Sequence, residues 1–328
     1  MEATDLREVC LATDDNFVES AYLRANPDVA AAVAEGSFRS GRDHFELFGR
    51  RENRNLRFEE SVVPSDVRRD KLARIRPLLR TDLLCIESES GFDFLSDEFR
   101  AQFNIVDTMA VSSNDYDGNV LRLIEKHAGG LILDCGAGKR NRYYGNVVNF
   151  EIVPYDTTDV RGVGEVLPFL DASFDAVVSI AVLEHVKDPF QCAREIIRVL
   201  KPGGDLYCCV PFLQPYHGYP HHYYNMTHQG LVNLFDGALD DVVVDIPDSV
   251  LPIWSLTWIL TSWANGLPED CKEEFLDMHI RDLLGSPLDY LEKNFVRMLS
   301  KEKNMELASA CVLIGRKSGS LSNRVEQI

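Results

Sequence analysis

Residues 131–138 read L-I-L-D-C-G-A-G, an apolar run that ends in an acid and then a Gly-x-Gly turn. Leu131, Ile132 and Leu133 suit a strand covered on both faces, while Gly136 and Gly138 let the backbone turn tightly and approach a ligand with no Cβ in the way. A first strand that delivers a nucleotide-like ligand to the next element needs this arrangement. Gly-x-Gly is also common strand-to-helix punctuation, so the reading rests on what surrounds it.

Upstream, Val120, Leu121, Ile124 and Glu125 fit an amphipathic helix stopped by Gly129-Gly130, which puts Tyr116 at the helix entrance, near the mouth of the first strand. Downstream, residues 139–144 begin a ligand-facing helix and residues 146–152, N-V-V-N-F-E-I, form a second strand with Glu151 at its carboxyl end. Glu151 follows Gly136 by fifteen positions. A carboxylate there accepts hydrogen bonds from both hydroxyls of a ribose. The stretch between Glu151 and Leu167 leaves no room for a full crossover helix. A buried strand over 174–180 follows, then a helix opened by Asp188-Pro189 with Phe190, Ala193, Ile196, Ile197 and Leu200 on its apolar face, a Lys-Pro-Gly-Gly stop at 201–204 and a strand over 205–212. Further strands are expected over 242–246 and 309–316, with an apolar helical segment over 254–263. Strands and helices alternate as in an α/β, doubly wound, mostly parallel sheet.

Composition narrows the function. Asp and Glu outnumber Lys and Arg by 52 to 34, a formal net charge of -18, so the overall field repels nucleic acid and anionic membranes. None of the 8 cysteines is paired in a C-x-x-C spacing, the N-terminal residues M-E-A-T-D-L-R-E carry no apolar signal core, and no apolar run is long enough for a membrane span. The expectation is a reduced, soluble, cytoplasmic protein.

The first segment, residues 1–57, reads as a small helical module. Phe17, Ala21 and Tyr22 share one face, Asn26-Pro27 breaks the helix, Gly36 stops a second, and His44, Phe45, Leu47 and Phe48 form a third before Gly49, beside Arg50, Arg51, Arg54 and Arg57. Its phrases Y-L-R-A-N-P-D-V-A-A-A-V and H-F-E-L-F-G-R-R-E-N-R resemble a module found beside bacterial glycan-modifying enzymes. Residues 58–114 give mixed signals and are expected to be a linker or lid, with Arg68, Arg69, Lys71, Arg74 and Arg76 on a solvated helix face. Residues 115–328 form the third division.

Taken together, L-D-C-G-A-G at 133–138, L-P-F at 167–169, F-D-A-V-V at 174–178, L-E-H-V at 183–186 and R-V-L-K-P-G-G at 198–204 resemble the class I methyltransferases that use S-adenosylmethionine, of the type 11 kind. The resemblance covers roughly residues 115–317. It implies a Rossmann-like sheet of seven strands, the last one, at 309–316, inserted antiparallel. It also implies that Asp134, Gly136 and Gly138 line the methionine and ribose part of the cofactor, that Glu151 holds the ribose, that Glu165 lies near the adenine and that Ser179 flanks the cofactor, with His185 slightly further on. Family members commonly carry an acid where this chain has Val163.

Methyl transfer from a sulfonium is an in-line displacement, so the protein mainly aligns the reactants and removes a proton where the acceptor is a hydroxyl. His217, His221 and His222 stand in the loop after the 205–212 strand, among Tyr216, Tyr219, Tyr223 and Tyr224, whose flat faces suit a sugar or aromatic acceptor. Three readings of this loop stay open, in order: general base, structural ligands of the loop backbone, and metal ligands. No metal is expected. The function expected is O-methylation of a saccharide or small metabolite. Two alternatives stand beside it: an NAD(P)-dependent oxidoreductase, disfavoured because Asn141 replaces the third glycine of G-x-G-x-x-G, and a non-catalytic scaffold that docks on a glycan-assembly partner. A homodimer is left open.

Overall fold

The computed structural model describes residues 4–5, 9–57, 63–106, 115–218 and 220–309. Contacts divide the chain into two units, one of residues 1–212 and 218–244, the other of residues 213–217 and 245–328.

A seven-stranded sheet forms the first unit's centre. Its strands are β1 (Ile86–Ser88), β2 (Gly91–Asp93), β3 (Ile132–Cys135), β4 (Val147–Glu151), β5 (Val160–Arg161), β6 (Phe174–Ile180) and β7 (Leu200–Cys209). They lie in the order β7-β6-β3-β4-β5-β2-β1. Every pair is parallel except the β1–β2 hairpin at the edge. Successive residues of β3 serve opposite faces, as the two-residue period of a strand requires. Leu133 and Cys135 join a core with Val148, Phe150 and Val177, whereas Ile132 joins Val147, Ala176 and Val178 on the other side.

Three helices cover these faces: α1 (Ser65–Ile75), α2 (Gly118–Lys126) and α3 (Pro189–Val199). Leu72 and Ile75 of α1 and Cys192, Ala193, Ile196 and Val199 of α3 enter the first core, while Val120 and Ile124 of α2 enter the second. Asp117 starts α2 by accepting from the amides of Asn119 and Val120, and Asp188 starts α3 by accepting from Gln191, with Pro189 in the first turn.

Several expectations are revised. Residues 86–93 are not linker: Phe92 and Phe94 are buried in the main core, and β2 gains backbone partners from β5. Residues 139–144 form no helix; Arg142–Tyr143 is a short strand paired with Thr4–Asp5. Residues 242–246 are not a strand, and Val243 is 84% exposed, because no neighbour among the described residues offers them a ladder. The strand expected over 309–316 lies, from residue 310 on, outside the described residues, as do Tyr219 and Cys311. The connection from β4 to β5 holds no helix, as expected.

The N-terminal module, in the first unit, is closed by Val9–Leu11 pairing antiparallel with Asn55–Arg57. Ala21, Tyr22, Val29, Phe45 and Leu56 are its core, and Tyr22 shares a 3.0 Å hydrogen bond with His44. In the second unit the helix Pro252–Asn265 is joined by Glu269–Leu276 and shorter helices around Ala264, Phe275 and Phe295, with Trp263 stacked on Phe275. No helix among the described residues is long and apolar enough to cross a membrane.

Lys71, expected on a solvated face, is fully buried: its ammonium donates to the carbonyl of Val147 and to Asp159 Oδ2, each at 2.7 Å. Burial pulls its pKa down to about 8 against the opposing pull of Asp159. Lys71→Ala leaves a buried carboxylate uncompensated and is expected to cost about 3–5 kcal/mol of unfolding free energy. A urea titration checks this, with the midpoint of the exposed Arg69→Ala unchanged.

Candidate functional site

The carboxyl ends of β3 and β6 meet where the strand order reverses, the place where open α/β sheets bind ligands. The turn after β3 is fixed by sterics. Gly136 has φ +85° and Gly138 φ +63°, and a Cβ on Gly136 would lie 2.4 Å from a Val182 methyl. The amides of Gly136 and Ala137 both donate to the carbonyl of Phe150. Beyond β6, Ala181 holds φ +53°, a strained value for a residue with a side chain, and places Val182 against the turn.

Asp134, fully buried, points from the end of β3. Its Oδ2 receives Arg140 Nε at 2.8 Å and Nη2 at 2.7 Å together with the Tyr116 hydroxyl, while its Oδ1, also buried, has no hydrogen-bond partner among the described residues. The guanidinium of Arg140 lies over the Tyr116 ring, 4.2 Å from its centroid. Burial and the Asp134 charge hold the Tyr116 phenol well above its ordinary pKa, so it stays a donor. Tyr116, Leu121, Arg140, Asn141, Arg142 and Tyr144 line a cavity of about 190 Å³. An orphaned carboxylate oxygen beside a buried guanidinium fits a zwitterion, whose ammonium would take Oδ1 and whose carboxylate would face Arg140.

Glu151, at the tip of β4, accepts Gly138 N–H at 2.7 Å on one oxygen and Ile152 N–H at 2.8 Å on the other. Burial raises its pKa and these donors offset it. Glu165 is buried, with Oε1 accepting Lys187 N–H at 3.2 Å. Ser179 is buried within β6, in register with Cys208 of β7.

Loop residues 220–226 fold onto the turn after β6: the amides of Tyr223 and Tyr224 donate to the Glu184 carbonyl at 2.7 and 3.2 Å. His185 Nδ1–H donates to the His221 carbonyl at 2.6 Å and its ring centroid is 5.6 Å from that of His222. His221 Nε2 lies 2.9 Å from both the carbonyl oxygen and the side-chain Nδ2 of Asn104, and His222 Nε2 is 2.7 Å from Asn225 Oδ1. His221, His222 and His185 are therefore neighbours. His217 belongs to the second unit, where its Nδ1–H donates to the Pro215 carbonyl and its ring sits 5.3 Å from Trp258. Arg140, absent from the sequence-based site, is the main addition; its signal was adjacency to the glycine turn.

The element after the glycine turn restricts the chemistry open to this site. A dinucleotide pyrophosphate is held by the N-terminus of the helix after the glycines, and here the chain runs instead into the strand Arg142–Tyr143.

Residues 133–208 match the family model described as a methyltransferase domain. An uncharacterized methyltransferase of a Mycobacterium species (strain JLS) is 49% identical over 45 residues, 14% of this chain and 18% of that protein; one of Mycobacterium leprae is 45% identical over 53 residues, 16% and 20%. The chain thus spans about a fifth of the length of the curated relatives it matches. Among solved structures, the YcgJ protein of Bacillus subtilis matches at a TM-score of 0.30 and 20% identity, over 48% of this chain and 86% of that one. A Haemonchus contortus phosphoethanolamine N-methyltransferase 2 matches at 0.32 and 17%, over 58% and 48%. Residues 133–208 are thus similar to a methyltransferase domain, and the sheet order around the glycine turn is that of a Rossmann-like α/β fold.

This geometry makes two outcomes testable. Gly136→Ala forces a methyl group into Val182 at a backbone angle that disfavours it, and is expected to cost about 1–3 kcal/mol in a denaturant titration. Glu184 is fully buried and burial raises its carboxyl from 4.5 to about 8. Between those values the folded chain holds a proton that the unfolded chain has lost, so this contribution is complete below pH 4.5 and is lost as pH rises through 8. Melting temperatures of wild type and Glu184→Gln across roughly pH 4.5–8 are expected to show a flatter profile in the variant.

Proposed function

We propose that the protein is an S-adenosylmethionine-dependent methyltransferase that methylates a hydroxyl of a saccharide or small metabolite. The observation that carries the cofactor is Asp134 Oδ1, buried without a partner among the described residues and next to Arg140, which lines the cavity. S-adenosylmethionine supplies an electrophilic methyl on a sulfonium. Asp134 takes the α-ammonium of the donor, Arg140 its carboxylate, and Tyr116 fixes both side chains. The backbone of Gly136 and Gly138 lines the methionine and ribose, Glu151 uses its remaining lone pairs for the ribose diol, Ser179 flanks the cofactor, and Glu165 closes the adenine side.

On the acceptor side, His221 is the first candidate for the base. Asn104 holds its Nε2 edge at 2.9 Å, through the backbone carbonyl or the side-chain amide, so Nδ1 is the ring nitrogen outside that contact. His222 and His217 are the other two candidates. Tyr223 and Tyr224, partly exposed next to His221, offer faces for a sugar ring. The N-terminal module is an accessory unit of a cytoplasmic enzyme in this reading.

Isothermal titration is expected to show binding of S-adenosylmethionine and none of NAD(H) or NADP(H), with Asp134→Ala weakening the donor about 10-fold or more. In an isotopic transfer assay over a panel of saccharides and small hydroxyl compounds, His221→Ala is expected to lower kcat by about 10²–10⁴-fold at unchanged donor Kd. Binding of a nicotinamide dinucleotide alone would overturn the assignment.

A further inference from the structure

The segment 139–146 carries Arg140 and Asn141 into the cavity, yet it has no helix to hold it; its one regular piece is the two-residue strand Arg142–Tyr143. Beyond the two-residue pairing of that strand with Thr4–Asp5, its support comes from side chains, and the buried pair Lys71–Asp159 supplies a route to both of its ends. Asp159 Oδ2 takes the Lys71 ammonium at 2.7 Å and the Asn149 amide N–H at 2.9 Å. The Asn149 side chain donates to the Thr157 carbonyl at 2.8 Å, and Thr157 Oγ1 accepts the Arg140 amide N–H at 3.2 Å. At the other end, the Tyr143 hydroxyl donates to Asp159 Oδ1, and the Lys71 ammonium lies 3.5 Å from the Tyr143 ring centroid. Asn149, Thr157, Asp159 and Tyr143 are all buried, so these bonds lie away from bulk solvent.

We infer that the Lys71–Asp159 pair is a positioning device for the methyl-donor subsite: it fixes the backbone at Arg140 and Tyr143 and thereby sets donor affinity as well as stability. This rests on the S-adenosylmethionine reading. A guanidinium that must meet a carboxylate in two-bond geometry tolerates little backbone error, and a displacement of about 1 Å is enough to lose most of the benefit. An apolar pair would hold α1 to the sheet as well, since buried ion pairs are poor sources of net stability. A charged pair with hydrogen bonds to spare can also reach Asn149 and Tyr143. Lys71 lies outside residues 133–208, so this support comes from a part of the chain that the family match does not cover.

The test uses variants that cut the network on either side of the Lys71–Asp159 pair, leave both members of the pair in place and keep side-chain size. Thr157→Val removes the acceptor of the Arg140 amide, and Tyr143→Phe removes the hydroxyl on Asp159. For the full-length wild type and both variants, S-adenosylhomocysteine affinity is measured by calorimetry, and amide exchange of the ligand-free proteins by mass spectrometry over 139–145 and over α3. Each variant is expected to weaken S-adenosylhomocysteine about 3–10-fold and to speed exchange in 139–145 while α3 exchanges as in wild type. A merely structural role would leave affinity unchanged or raise exchange in both regions together. Wild-type affinity with unchanged exchange over 139–145 overturns the inference. If wild type fails to bind S-adenosylhomocysteine, the donor reading falls, and the exchange of 139–145 alone then decides whether the pair anchors this segment.

Discussion

One missing methyl group organises the ligand end of the sheet. Val182 occupies the space a Cβ on Gly136 would need, so the chain can leave β3 only through a left-handed glycine, and Val182 itself is delivered by the strained Ala181 at the end of β6. Each strand end thus constrains the other. The turn that results aims two amides at the carbonyl of Phe150 in β4 and brings Gly138 to the Glu151 carboxylate. A substitution anywhere along this contact is felt by three strands.

The stretches that were legible in sequence are those whose signal is local. Residues 131–138, 174–180 and the Asp188-Pro189 helix start carry their own periodicity, turn glycines and caps, and all three stand where expected. The hairpin of β1 and β2 was not legible, because I-E-S and G-F-D are too short and mixed to show a period and gain their ladder from β5. The reverse error occurred at 242–246, where β-branched residues promise a strand that no described neighbour completes. Strand propensity reports fit to a pleated surface, and it cannot say whether that surface exists.

The site residues divide the same way. Asp134, Gly136, Gly138 and Glu151 are placed by the strand and turn signals, and the structure gathers them at one edge. Arg140 was hidden in K-R-N-R-Y-Y, which reads as the start of a helix until the buried charge of Asp134 is known to need a partner. Lys71 was one of five basic residues taken as solvated, although it is four positions before Ile75 and shares that residue's buried face. The hydrogen bonds of the loop histidines, two to residues of the same loop and one from His221 to the distant Asn104, were outside the reach of spacing alone. In an acidic chain, the charges that matter most for the site are two opposite-sign pairs sealed from solvent, Lys71–Asp159 and Arg140–Asp134.

The placement of β2 also has a cost in time. Phe92 pairs with Val160, so the edge of the β1–β2 hairpin leaves the ribosome 68 residues ahead of the strand that covers it. At roughly 5–20 residues per second, that interval is about 3–14 s. During it, Phe92 and Phe94 have no core to enter. The nascent chain therefore carries this strand edge without its β5 partner until β5 arrives, the kind of unpaired edge that other chains can pair with.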